Sequence, residues 1–203
     1  MHILILKMIF VVALAYIIGS IPTGYLIVKK LKGIDIRTTG SGSTGATNVK
    51  RILGTKWFFA VMFLDALKGI IAVSIAVNHF NFLAYLGLAP VLCAIAVIVG
   101  HSKSIFLGFT GGKSVATGVG TLLALCLPVG LITAAIWGII TYTSKYVSLG
   151  SVIAVSLTPL LMTAFNQNIY YICFAAIAAI YVVIMHKANI KRLLEGKESK
   201  VRK

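Results

Sequence analysis

The sequence predicts an all-α fold: a polytopic membrane helical bundle with seven transmembrane helices, N-terminus outside and C-terminus cytoplasmic. Three observations carry that expectation. Of 203 residues, 59% are hydrophobic and 11% charged, where a soluble domain carries about 25% charged residues; the mean hydropathy is +1.00. Seven apolar segments follow one another, and a helical span uses about 20 residues. Finally, the basic residues are unevenly placed: of 19, all but Lys7 and Lys68 fall in residues 29–56, 100–114, 143–146 and 186–203. Such apolar content excludes a disordered chain, and the length leaves no room for a separate soluble domain. Residues 1–203 are expected to form one integral-membrane domain.

The first apolar segment covers residues 8–28. It is long and lacks a convincing cleavage site, so it reads as a retained span and not a signal peptide. The second covers 57–77 and the third 82–99, with Asn78, His79 and Asn81 marking the turn between them. The fourth, 115–127, is short and is separated by Pro128 from the fifth, 129–142. The sixth, 147–165, is followed by a turn at Asn166, Gln167 and Asn168, and the seventh covers 169–185. The turns near residues 79, 128 and 167 carry no Lys or Arg. That alternation is the bias of cytoplasmic loops toward basic residues, and it requires an odd number of spans.

A net charge of +15 could signal nucleic acid. On a chain this apolar, loop orientation and an anionic substrate come first, and no nucleic-acid partner is expected. Cys93, Cys126 and Cys173 each lie in an apolar run. Their odd number and spacing argue against a disulfide framework or a zinc site, so they read as packing residues. Asp65 and Lys68 sit inside the second span, three residues apart and therefore on one helix face. Intramembrane charges are functional candidates; an ion pair that fixes packing is the competing and preferred reading.

The long segments all belong to the basic set, and the polar, glycine-rich sequence is concentrated in them. Chemistry gathered on one face suits an interfacial enzyme better than a transporter, which more often places its ionisable groups near the midplane. Residues 40–51 include Gly40, Ser41, Gly42, Gly45 and Arg51. A loop this rich in glycine and hydroxyls can present successive N–H groups to an anion, and Arg51 adds a permanently charged fork. Residues 111–118 open directly into the fourth span with Gly111, Gly112, Lys113 and Ser114. A helix start preceded by glycines suits an anion. A nucleotide P-loop would need Gly where Leu107 stands, and no strand precedes it. Ser148–Ser151 opens the sixth span. His186, Asn189 and Arg192 share a helix face leaving the seventh, which favours ligand contact. Lys197, Lys200, Arg202 and Lys203 read as lipid-surface contacts. Four segments thus offer phosphate-binding chemistry beside an apolar bundle, and a phosphorylated amphiphile fits both.

Taken together, Gly19–Gly24, Asp35–Arg37, Gly40–Arg51, Leu64–Gly69, Gly100-His101, Gly111–Thr117, Ser148–Ser151 and His186–Arg192 resemble the bacterial acyl-phosphate:glycerol-3-phosphate acyltransferase family over nearly the whole chain. The resemblance implies a seven-span enzyme of the bacterial cytoplasmic (inner) membrane with its active site facing the cytoplasm. It implies acyl transfer from fatty acyl phosphate to the 1-hydroxyl of sn-glycerol 3-phosphate, giving lysophosphatidate and inorganic phosphate, the first acylation of phospholipid biosynthesis. Ser41, Gly42, Lys113 and the backbone of Gly111, Gly112 and Ser114 would hold the acyl phosphate. Arg51, Ser151, His186 and Asn189 would form the catalytic set, holding glycerol 3-phosphate and orienting its hydroxyl. Substrates, membrane lipids and a functional link to the phosphate acyltransferase that makes acyl phosphate are the implied partners. Ser114 departs from the family, which usually has Gly there, as do Ser43-Thr44, Ser102–Ser104, and Met185 and Lys187 beside His186.

An acyl phosphate is an activated anhydride, so no covalent nucleophile, cofactor or metal is expected. His186 is one possible base; the substrate's own phosphate is the other and the preferred one. The His–Asp pair five residues apart used by another acyltransferase type is absent, since Lys7, Ala84, Phe106 and Lys191 follow the four histidines at that distance. The rival readings are an organophosphate transporter or flippase, and a prenyl-phosphate transferase. The latter typically needs magnesium and paired acidic residues, whereas only Asp35 and Asp65 precede the tail.

Overall fold

The computed structural model describes residues 2–79 and 87–201. Asn81, the first residues of the third apolar segment, Arg202 and Lys203 lie outside them. Among the described residues the chain is helical, with one isolated bridge between Ser104 and Thr110 and no strand. It divides into two compact units, 1–124 and 125–203.

In the first unit, α1 (His2–Ser20) and α2 (Thr23–Lys32) come from one apolar segment. Pro22 separates them: it lacks an N–H and cannot continue the helical ladder. Ile21 N–H then turns back to the Ile18 carbonyl at 3.3 Å, and the Ile21 carbonyl accepts from Lys68 Nζ at 2.6 Å. Next come α3 (Ala46–Leu53), α4 (Thr55–His79), α5 (Leu88–Ser102) and α6 (Val115–Leu125). Helices α1, α4 and α5 pack on one another. Backbone approach is close where glycines meet: a Cβ at Gly19 would collide with the Val97 carbonyl, and one at Gly100 with the Tyr16 carbonyl. Small residues at such crossings let apolar helices gain van der Waals contact without hydrophobic driving force.

The second unit holds α7 (Leu127–Ser144), α8 (Val147–Ser156), α9 (Thr158–Ala164), α10 (Ile169–Met185) and α11 (Lys187–Leu194). The sixth apolar segment is interrupted at Leu157. Pro159 leaves the Val155 carbonyl without its usual donor, and the Thr158 hydroxyl supplies one at 2.8 Å. Asn168 caps α10, its side chain accepting from Tyr171 N–H at 3.1 Å.

Among the described residues, each apolar segment is thus mainly helical, with breaks at Ile21-Pro22 and Leu157. By length and composition, residues 2–32, 55–78, 127–144 and 147–164 can cross a membrane, and the bent pair α10–α11 makes a fifth; α5 and α6 are apolar but shorter. Large apolar side chains such as Phe10, Phe63, Leu160 and Ile180 are exposed on helix surfaces, as in a helix whose solvent is hydrocarbon. Cys93 and Cys126 are buried, while Cys173 is exposed on α10 and does not fill the packing role expected of it.

Candidate active site

In the first unit, two glycine-rich loops are built on opposite principles. Loop 33–45 is organised by one side chain. Buried Asn48, in the first turn of α3, donates through Nδ2 to the carbonyls of Ile36 (3.2 Å), Thr39 (3.0 Å) and Ser43 (2.9 Å). Its Oδ1 accepts from Ser41 N–H at 3.1 Å. A Cβ at Gly40, whose φ is 58°, would collide with that same oxygen, so glycine is needed there. Gly42 N–H donates to the Thr39 carbonyl at 3.0 Å, and Gly45 N–H to Ser43 Oγ at 3.3 Å. The loop therefore spends the N–H groups of Ser41 and Gly42 internally. They do not form the open anion nest that composition suggested. What remains outward are side chains: Ser41 and, on α3, Arg51, both exposed.

Asp35 and Arg37 brace this loop. Asp35 caps the short turn Ile36–Thr38, accepting from Arg37 N–H at 2.9 Å, and its carboxylate meets the Arg37 guanidinium at 2.6 Å. The hydrogen bonds from Arg37 hold the half-buried Asp35 carboxyl below its ordinary value. Arg37 also donates to the Leu107 carbonyl at 3.2 Å, tying the first loop to the second.

The second loop, residues 103–114, folds on the end of α5. Gly112 N–H donates to the His101 carbonyl at 3.1 Å, so it too is occupied. Ser114 stands at the position where glycine was expected, with φ 61°. Left-handed backbone costs a non-glycine residue free energy; here the buried Ser114 hydroxyl donates to the Ile98 carbonyl at 2.8 Å. The tight turn is retained. Lys113 is half-buried between these two anchors.

Beneath the loop lies a polar cluster built on the Asp65–Lys68 pair. Lys68 Nζ pairs with Asp65 at 2.7 Å, Thr23 Oγ1 donates to Asp65 Oδ1 at 2.5 Å, and His101 Nδ1 lies 3.7 Å from Asp65 Oδ1. The expected Asp65–Lys68 ion pair is present, and Lys68 also donates to the Ile21 carbonyl at the break between α1 and α2, which accepts from Thr23 N–H as well.

In the second unit, Ser151 is buried on α8 with its hydroxyl on the Val147 carbonyl at 2.9 Å. His186 is the N-cap of α11, and Asn189 and Arg192 follow on that helix at a spacing of three. The chain bends by 61° at His186, between α10 and α11. His186 is buried there, its Nδ1 2.8 Å from the Val182 carbonyl. A carbonyl only accepts, so Nδ1 carries the proton and a neutral ring has its acceptor at Nε2. Asn189 and Arg192 meet instead at a residue that sequence reading passed over. Glu198, in the tail, accepts from Asn189 Nδ2 at 2.6 Å, Arg192 Nε at 2.7 Å and Ser148 Oγ at 2.8 Å. Burial raises the Glu198 carboxyl, but these three donors outweigh it and hold it below its ordinary value. Val201 N–H then donates to the Lys145 carbonyl at 2.8 Å, and Lys200 Nζ lies over the Tyr146 ring. The tail is a docked segment, and Lys200 is not only a lipid contact. The missed signal was a carboxylate among basic residues.

Apolar helices with exposed hydrocarbon surfaces, and polar groups gathered at helix ends and connecting loops, define an integral membrane protein. A family model described as glycerol-3-phosphate acyltransferase matches residues 9–196, and the chain belongs to that family. It is 47% identical to a glycerol-3-phosphate acyltransferase of Trichormus variabilis, covering 94% of this chain and 90% of the relative. It is 44% identical to one from Desulforudis audaxviator, covering 96% of each. The crystal structure of PlsY, an integral membrane glycerol 3-phosphate acyltransferase, in its glycerol 3-phosphate form superposes with a TM-score of 0.90 at 37% identity, over 97% of this chain and 96% of that one. Its lysophosphatidic acid form gives 0.87.

Proposed function

We propose that this chain transfers a fatty acyl group from acyl phosphate to the 1-hydroxyl of sn-glycerol 3-phosphate, releasing inorganic phosphate and lysophosphatidate. The observation that carries this reading is the match to the glycerol 3-phosphate form of PlsY over 97% of the chain, together with family membership. The protein sits as a single domain in the bacterial inner membrane with seven spans, N-terminus outside, and its polar loops face the cytoplasm. The charge asymmetry supports this orientation. The acyl phosphate comes from a phosphate acyltransferase acting beforehand.

The roles follow the chemistry of each group. Ser41, Gly42, Gly111, Gly112, Lys113 and Ser114 form the donor-phosphate loops. Because the Ser41, Gly42 and Gly112 N–H groups are engaged internally, Lys113, the Ser41 hydroxyl and the N–H groups at the start of α6 carry that binding. Arg51, Ser151, His186 and Asn189 hold glycerol 3-phosphate. The glycerol 1-oxygen attacks the acyl carbonyl carbon, the bond from that carbon to the phosphate oxygen breaks, and the hydroxyl proton leaves with the phosphate. Positioning two bound substrates supplies about 7–11 kcal/mol of the barrier, and fixed donors stabilise the developing charge. His186 orients the hydroxyl through Nε2.

The test is a metal-free assay of the purified protein with palmitoyl phosphate and glycerol 3-phosphate, following phosphate and lysophosphatidate. Absence of both products overturns the proposal. Uptake of glycerol 3-phosphate into sealed vesicles without an acyl donor would replace it with transport.

A further inference from the structure

We infer that His101 is a positioning residue for the 111–114 loop, held in register by the Thr23–Asp65–Lys68 cluster. This rests on the reading of that loop as a phosphate site and assigns what sets its geometry.

His101 is in the last turn of α5 and is buried. It meets the loop twice. Its carbonyl accepts from Gly112 N–H at 3.1 Å. Its ring lies against Gly112 so closely that a Cβ there would collide with Nε2 and approach both Cδ2 and Cε1 at 2.9 Å. At Gly111, a Cβ would collide with the His101 carbonyl. The glycine pair is thus demanded by the surface the loop lies on, and not only by a ligand. The opposite edge of the ring presents Nδ1 to Asp65 Oδ1 at 3.7 Å. A carboxylate on that side favours, through its charge, the proton on Nδ1, leaving Nε2 toward Gly112.

Asp65 is itself immobilised. Lys68 Nζ and Thr23 Oγ1 both bond to Oδ1, and Lys68 reaches across to the Ile21 carbonyl at the break before Pro22. The break between α1 and α2 therefore supplies the anchor for an ion pair, the ion pair orients an imidazole, and the imidazole supports the loop that carries Lys113. A buried ion pair is weak evidence for stability and better evidence for a specified arrangement.

The experiment compares full-length Lys113→Ala, His101→Ala, Asp65→Asn and the His101→Ala/Asp65→Asn double variant in lipid, measuring kcat and the KM of each substrate. Lys113→Ala identifies which substrate the loop holds. His101→Ala is expected to raise the KM of that same substrate about tenfold with kcat changed less, the signature of lost binding geometry. Asp65→Asn is expected to do the same to a smaller extent, and to add nothing in the His101→Ala background, because it acts through the ring. Normal KM values in His101→Ala, a loss confined to kcat, or additive single effects overturn the inference. Should His101→Ala fail to fold, His101→Gln carries the same measurement, since its amide fills part of the space under Gly112. Normal kinetics in Lys113→Ala would instead remove the phosphate-site reading on which the inference stands.

Discussion

The two units reach similar chemistry by different construction. In residues 1–124, site groups sit on loops whose backbone is fixed from below. Asn48 ties four points of the first loop, and His101 and Ile98 tie the second. In residues 125–203, site groups sit on helices and at a helix bend. One of them, Asn189, is held with Arg192 and Ser148 by a carboxylate arriving from the tail. A loop built from backbone has many weak points, each of which shifts the whole. A set built from helix side chains tolerates local change, because the helices hold their ladders regardless. Pre-arranged loops suit the binding of phosphate oxygens, and a helix corner suits presenting one imidazole.

The largest expected effect tests the loop side. Asn48→Ala removes the side chain that organises residues 36–43, leaving buried carbonyls without donors. It should destabilise the protein by about 3 kcal/mol and lower transfer activity about a hundredfold or more, read by thermal unfolding and product formation. An Asn48→Ala enzyme with near-native activity would break the contrast. His186→Ala should lower turnover at least tenfold with a smaller change in unfolding temperature, since α10 and α11 keep their own hydrogen bonds. Near-normal turnover would remove His186 from the site.

Glu198→Gln tests the tail. Removing the charge weakens bonds from Arg192, Asn189 and Ser148 and should cost about 2 kcal/mol, seen as faster hydrogen exchange in residues 195–201. Its pH dependence has a fixed sign. The folded carboxyl lies below its ordinary value, so its contribution is present above the unfolded glutamate pKa of about 4.3 and fades as pH falls through the folded value. The difference in unfolding temperature between wild type and Glu198→Gln should therefore narrow on acidification; a constant gap from pH 7 to pH 3 would refute the charged tether. The smallest effect belongs to Ser114→Gly. Relief of left-handed strain and loss of the bond to Ile98 oppose each other, so stability should stay within about 1 kcal/mol, checked by thermal unfolding.

Much of the fold was legible because hydrocarbon is a demanding solvent. The apolar segments near residues 8–28, 57–77, 147–165 and 169–185 are helices because a buried backbone must satisfy itself locally. What was misjudged was continuity. Pro22 and Pro159 stood in plain view, yet whether a proline ends a span depends on what takes the freed carbonyl. Ile21 N–H does so at Ile18, and the Thr158 hydroxyl at Val155. The glycine loops were recognised as special, but the allocation of their N–H groups was not readable, since Asn48 and His101 compete with any ligand from elsewhere in the unit. Glu198 was passed over because a carboxylate in a basic tail reads as solvated until its three donors are seen.

By itself, the sequence determined the helical membrane class, the separation of apolar spans from basic loops, and the ordered motifs of the family. All of these are properties of local composition and periodicity, which the solvent reads one segment at a time. Only the tertiary structure decided the bend at His186, the support of the glycine loop by His101 and Asp65, and the tail tether at Glu198. Each of these depends on a partner far away along the chain, and a polar group's choice among distant partners is settled by geometry that no local pattern encodes.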